Sequence, residues 1–365
     1  MTIDSNIADK LSRKAVQECE LYIAPTRKNT PEEIYLDANE NPYATIVKLD
    51  IPMNRYPESQ PQQAIARYAD FLGIDQDEIL ATLGGDSAIE LLIKAFCEPN
   101  QDKLLYCPPT FGMYQVTCDL YDVKTVQIPL LEDFVLDTDA IINNLDGVKM
   151  VFLCSPNNPT GNTIAVSEVE CILEATRGKA IVVLDEAYIE FSEIESFAKR
   201  VKEFPHLALV RTLSKAFGLA GIRFGFVVGS KDLINVVRKV ISPYPLPVPA
   251  IAIAETALLP ENIDIMRENR KKILKGRDAL VEALGKLDFV TKIYKSESNF
   301  VLVEMKDSKA VFDFLCDKNI FVRYQSSPLL KNTLRIAVGL PNEQEALIQA
   351  LAQFEAENAS KDSSL

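Results

Sequence analysis

Along this chain, short apolar runs alternate with segments in which apolar residues recur every three or four positions. Runs at 80–83, 103–106, 123–128, 148–153, 180–184, 207–210 and 226–228 are bounded by Gly, Pro, Asn or Asp and predict buried strands. Helical spacing is expected over 7–21, 61–72 and 167–176. It is also expected after Pro108-Pro109-Thr110-Phe111, and after Gly84-Gly85-Asp86-Ser87, where Ala88, Leu91, Leu92, Ala95 and Phe96 share one face. Apolar strands separated by helices predict an α/β fold whose sheet is mostly parallel and covered on both faces. Ligands of such sheets lie at the carboxyl ends of the strands. The polar residues Asp86, Asn157, Asp185, Tyr188 and Lys215 fall there.

The pattern changes at 242–249, where proline alternates with other residues. This predicts an extended connector, with a domain boundary just beyond it. A long helical region follows, with Ile273, Leu274, Leu280, Val281 and Leu284 on one face. Strands are expected at 290–294, 300–304, 320–322 and 334–338, and helices at 308–318 and 342–356, before a polar tail at 360–365 expected to be disordered. The expected division is a large domain over 31–255 and a smaller α/β domain from 1–30 with 256–365.

Composition narrows the function. A chain of 365 residues with 47% hydrophobic content can build two cores. Its net charge of −13 argues against nucleic acid as a partner, which calls for a basic face. Seven cysteines without a CxxC pair read as reduced thiols of a cytoplasmic protein. The first residues lack the apolar centre of a signal peptide, and no apolar stretch is long enough to span a bilayer. The single histidine, His206, makes a Ser-His-Asp hydrolase or a multi-histidine metal site improbable and reads as structural.

The candidate chemistry centres on Lys215. Arg211-Thr212-Leu213-Ser214-Lys215, small residues and Arg223 lie between two apolar runs. A lysine held there loses its proton more readily, and a neutral amine can attack an aldehyde. Thr212, Ser214 and Arg223 suit a nearby phosphate. On this stretch alone, a structural loop whose lysine snorkels to water is an equally good reading. Asp185 ends a buried strand; by itself it reads as a cap of the next turn. Pro156-Asn157-Asn158-Pro159-Thr160-Gly161 can likewise be no more than a turn. Gly84-Gly85-Asp86-Ser87 opens a helix whose first amides can attract a phosphate.

Taken together and in order, these motifs resemble those of the fold-type I pyridoxal-phosphate enzymes, the aspartate-aminotransferase superfamily. Nearly the whole chain is similar to the histidinol-phosphate aminotransferase branch. The resemblance implies a fold-type I transferase using pyridoxal 5'-phosphate, with Lys215 as the amine that holds the cofactor and moves the substrate proton. It implies Asp185 at the pyridine nitrogen, with Asn157 and Tyr188 at the phenolic oxygen. Gly85, Asp86, Ser87, Ser214, Arg223 and Thr212 would surround the cofactor phosphate. Phe111 stands where the family usually has tyrosine: it can stack on the ring but brings no hydroxyl. Arg335 corresponds to the arginine that grips the substrate carboxylate and Arg323 to a second arginine for the substrate phosphate. Tyr22 and Asn39 match further substrate contacts. Tyr56 matches a residue reaching the neighbouring subunit's cofactor, which implies a homodimer with shared sites.

The implied reaction converts L-histidinol phosphate and 2-oxoglutarate to imidazole-acetol phosphate and L-glutamate, in histidine biosynthesis. An aromatic aminotransferase or a threonine-phosphate decarboxylase would use the same cofactor residues. A non-catalytic, DNA-binding relative would need a basic domain for which this chain has no stretch.

Overall fold

The computed structural model describes residues 7–17 and 53–362. The larger sheet has seven strands: β1 (Ile79–Thr82), β2 (Lys103–Tyr106), β3 (Lys124–Gln127), β4 (Val148–Cys154), β5 (Ile181–Asp185), β6 (Leu207–Thr212) and β7 (Gly225–Gly229). Their order is β1-β7-β6-β5-β4-β2-β3. Only β7 runs against its neighbours; the other pairs are parallel.

Alternation along each strand feeds two cores. On β5, Val182 and Leu184 enter one and Ile181 and Val183 the other; on β6, Leu207 and Leu209 oppose Ala208 and Val210. The helices Gln62–Leu72, Val166–Thr176 and Val248–Ala257 cover the first face, and Gly84–Phe96 and Lys231–Arg238 the second. With both faces of its centre dry, the sheet's central strands read as nearly unbroken apolar runs rather than alternating ones, while the edge strand β3 is largely exposed.

A second, antiparallel sheet has the order β10-β11-β9-β8, with β8 at Val290–Ile293, β9 at Phe300–Met305, β10 at Arg323–Tyr324 and β11 at Thr333–Ala337. Val301, Val303, Leu334 and Ile336 pack against Leu280 and Leu284, Val311 and Leu315, and Leu347 and Leu351, from the helices Pro260–Leu284, Ser308–Asp317 and Pro341–Asp362.

The structure departs from the sequence-based expectations in several places. Residues 7–17, expected with the smaller domain, place Ile7, Ala8, Leu11 and Val16 in the core of the larger sheet. They form two short helices, Ile7–Leu11 and Lys14–Gln17, rather than one. The proline-rich connector is extended only to Pro247. A helix begins at Val248, with Pro249 in its first turn, where a missing N–H leaves no intrahelical bond unmade. The strand expected at 320–322 lies instead at Arg323–Tyr324. The last helix continues to Asp362, into the tail expected to be disordered. His206 is buried, with its Nε2 2.9 Å from the Leu173 carbonyl, as a structural residue should be. Among the described residues all cysteines are free.

Candidate active site

A cavity of about 610 Å³ opens at the carboxyl ends of β4, β5 and β6 and is closed on the far side by β10 and β11. Strand alternation decides what enters it. Asp185 and Thr212 follow Val183 and Val210 on one face of the sheet and line the cavity. Glu186 and Arg211 turn to the opposite side and pair there at 2.7 Å.

Lys215 lines the cavity, its Nζ 5.3 Å from the centre of the Tyr188 ring. Burial, with Arg335 nearby, lowers its pKa, so a larger fraction of the amine is neutral than in water. Asp185 is buried, accepting from the Tyr114 hydroxyl (2.8 Å) and the Ala187 N–H (3.0 Å). Burial pushes its carboxyl up to about 6, and the hydrogen bonds from Tyr114 and Ala187 limit the rise. The helix Gly84–Phe96 starts at the cavity edge with Gly84 at φ 81°. Its first-turn amides have no partner within the helix. Arg223 lies so close that a Cβ on Gly84 would sit 2.8 Å from its Nη2. Arg223 also reaches Asp86 at 3.2 Å.

On the far wall, antiparallel pairing sets Arg323 directly opposite Arg335. Like charges at such a position repel, and burial together with Arg323 lowers the pKa of Arg335. Two guanidiniums held this way concentrate positive charge on one wall of the cavity. Arg335 also crosses to the larger unit, donating to Asn158 Oδ1 at 2.5 Å.

Of the expected residues, Gly85, Asp86, Phe111, Asp185, Tyr188, Thr212, Ser214, Lys215, Arg223, Arg323 and Arg335 share this cavity. Asn157 does not. Its amide is buried in the turn, donating to Pro109 O (2.9 Å) and Thr160 Oγ1 (2.7 Å) and accepting from Thr110 Oγ1 (2.7 Å). Asn158 lines the cavity instead. Two adjacent asparagines are equivalent in sequence, and the backbone path of the turn separates their roles. Ser87 lies in the first helical turn but off the cavity wall. Tyr56 is 47% exposed, stacks on Tyr244 with ring centres 4.5 Å apart, and stands outside the cavity. Tyr22 and Asn39 lie outside the described residues.

Sequence reasoning missed Tyr114 and Asn158. Tyr114 follows Phe111 by three residues, where the chain turns into the helix Met113–Leu120, and their rings meet edge to face at 5.8 Å.

These groups fit pyridoxal 5'-phosphate by the chemistry of the donor set. A buried carboxylate suits a protonated ring nitrogen, a depressed lysine suits an aldehyde, and a glycine-opened helix beside an arginine suits a phosphate. Fold and site together define a transaminase class. A family model described as aminotransferase class I and II matches residues 22–351, and the chain belongs to that family.

Histidinol-phosphate aminotransferase 1 of Haemophilus influenzae (strain 86-028NP) is 45% identical over 345 residues, 94% of this chain and 98% of that one. The histidinol-phosphate aminotransferase of Escherichia coli O9:H4 (strain HS) is 46% identical over 343 residues, 93% and 96% of the two chains. Within the family, then, the chain belongs with the histidinol-phosphate aminotransferases. The crystal structure of the Clostridium acetobutylicum histidinol-phosphate aminotransferase superposes with a TM-score of 0.77 at 25% identity, covering 84% of this chain and 92% of that one. The Sinorhizobium meliloti enzyme, in complex with pyridoxal-5'-phosphate, has the same fold: TM-score 0.77, 21% identity, 84% of each chain.

Proposed function

We infer that the protein transfers the amino group of L-histidinol phosphate to 2-oxoglutarate, giving imidazole-acetol phosphate and L-glutamate, in L-histidine biosynthesis. Its cofactor is pyridoxal 5'-phosphate. The observation that carries this reading is the paired Arg323 and Arg335 facing Lys215 and Asp185 across one cavity. One wall holds an anion while the other holds the reactive amine.

Bound pyridoxal phosphate supplies an aldehyde for the amino group and a ring that draws electrons away from the substrate Cα. The chain's own residues do the rest. Asp185 holds the proton on the ring nitrogen, and the positive charge there offsets the cost of burying the carboxylate. Lys215, partly neutral through burial, moves the proton at Cα. Tyr188 and Asn158 serve the phenolic oxygen; because Asn158 Oδ1 accepts from Arg335, its Nδ2 is the end left to donate. The amides of Gly85 and Asp86, with Ser214, Thr212 and Arg223, would hold the cofactor phosphate, and Phe111 would cover the ring. Arg335 and Arg323 take the carboxylate or phosphate of the substrate.

The reading extends to a cytoplasmic homodimer in which Tyr56 of each subunit serves the other's site. The exposure of Tyr56 away from its own cavity supports this. Among the described residues no helix is long and apolar enough to cross a membrane.

The test is an absorption titration of the cofactor-loaded protein with L-histidinol phosphate and no keto acid, followed by 2-oxoglutarate. The cofactor band is expected to convert fully and then return as L-glutamate forms. A band that does not respond, or responds equally to L-phenylalanine, would overturn the substrate assignment.

A further inference from the structure

Strand β10 brings one more polar residue to the anion wall. Arg323 faces the cavity, and Tyr324 turns the other way, its ring 5.7 Å from Phe312 in the smaller core. Gln325 then returns to the Arg323 face. Its N–H continues the ladder to Thr333 O at 3.3 Å, and the residue lines the cavity. Its side-chain amide nitrogen is buried and has no hydrogen-bond partner among the described residues. A buried donor without an acceptor is costly, and a ligand that supplies the acceptor removes that cost.

The substrate assignment above, on which this inference rests, requires one arginine pair to hold two kinds of anion. A carboxylate offers two oxygens in one plane and matches the planar guanidinium fork. A phosphate monoester offers three terminal oxygens that share no plane with the fork, so one is left for another donor. A neutral amide can serve it without adding a third cation beside two that already repel. We propose that Gln325 is a specificity residue. Its amide donates to the third phosphoryl oxygen of L-histidinol phosphate and finds no equivalent acceptor on L-glutamate.

The test follows the half-reaction through the cofactor's absorption, in wild type, Gln325→Leu and Gln325→Glu. L-histidinol phosphate, L-histidinol and L-glutamate are each titrated. Gln325→Leu removes the amide; Gln325→Glu keeps the side chain's shape and turns the donor into an acceptor, so its result does not depend on repacking. Both variants are expected to need about tenfold more L-histidinol phosphate for half-saturation, with a far smaller change for L-glutamate. Inorganic phosphate should raise the unfolding temperature of loaded wild type more than that of either variant. Variants that keep the wild-type preference for L-histidinol phosphate over L-histidinol would overturn this proposal alone. So would an equal loss with L-histidinol phosphate and L-glutamate, which would mark a packing role. A wild type without that preference would overturn the substrate assignment, and this proposal with it.

Discussion

Asp185 carries the clearest consequence at the scale of one residue. Its carboxyl rises from 3.8 to about 6 in the folded protein because burial disfavours the charge. Between those values the folded state binds more protons than the unfolded one. The penalty for ionising Asp185 is therefore absent below the lower value and complete above the higher one. In cofactor-free protein, Asp185→Asn should gain stability relative to wild type as pH rises from about 4 to about 7.5, by roughly 3 kcal/mol. Urea unfolding of both proteins at the two pH values measures it, and a pH-independent difference would contradict the assignment. The same variant should bind cofactor more weakly. At Lys215, the change to Ala should abolish turnover while leaving the far-ultraviolet circular dichroism unchanged; retained full activity would remove the lysine from the chemistry.

At the scale of elements, the ends of β5 and β6 are fastened together from behind the site. Arg211 is 2% exposed and pairs with Glu186 at 2.7 Å and Glu190 at 2.5 Å. Those carboxylates flank the segment that carries Tyr188, and Arg211 lies four positions before Lys215. Removing one partner leaves buried charge uncompensated, so Arg211→Met should cost about 3–5 kcal/mol near neutral pH. Burial already raises the Glu190 pKa. The cost of Arg211→Met should therefore shrink as pH falls, in urea titrations at successive pH values. A second contact between elements joins β7 to the helix at the phosphate end. A Cβ on Gly225 would meet Gly84 C at 2.5 Å and Gly84 O at 2.8 Å, both backbone atoms that cannot rotate away. Gly225→Ala should cost about 1–3 kcal/mol and weaken cofactor binding. Gly221→Ala, with nothing within 4 Å of the added atom, should stay within about 0.5 kcal/mol by thermal melting.

At the scale of the whole molecule, the site spans two packing units. Lys215, Asp185 and the helix start belong to the larger sheet, and Arg323 and Arg335 to the smaller, with Arg335 bonded across to Asn158. If Tyr56 completes the partner's site, mixing Lys215→Ala and Tyr56→Ala proteins should restore activity. Each mixed dimer would carry both lesions in one site and leave the other whole. Mixtures no more active than the separate variants would argue against shared sites.

Much of this was legible in the chain itself. Nine of the eleven strands fall within one residue of their expected runs at both ends, and the central strands of the larger sheet read most clearly because burial on both faces leaves unbroken apolar stretches bounded by turn residues. The exceptions are instructive. The run at 207–210 continues as strand through Arg211 and Thr212, where buried ion pairing holds a polar residue in the sheet. The edge strand at Arg323–Tyr324 is two residues long and half polar, because one face is cavity and the other core. Lys215, Asp185, Tyr188, Arg223 and Arg335 stood in recognisable motifs, and the fold gathers them around one cavity. What tertiary structure alone decided was direction. It chose Asn158 over Asn157 through the path of one turn, and it brought the Tyr114 hydroxyl to Asp185 across 71 positions of sequence. It packed residues 7–17 on the larger sheet and put Gln325 beside Arg323 on the cavity wall. Residue types and their spacing specify which chemistry a chain can hold. Which side chains face one another is set by how distant segments pack, and nothing local in the sequence encodes that.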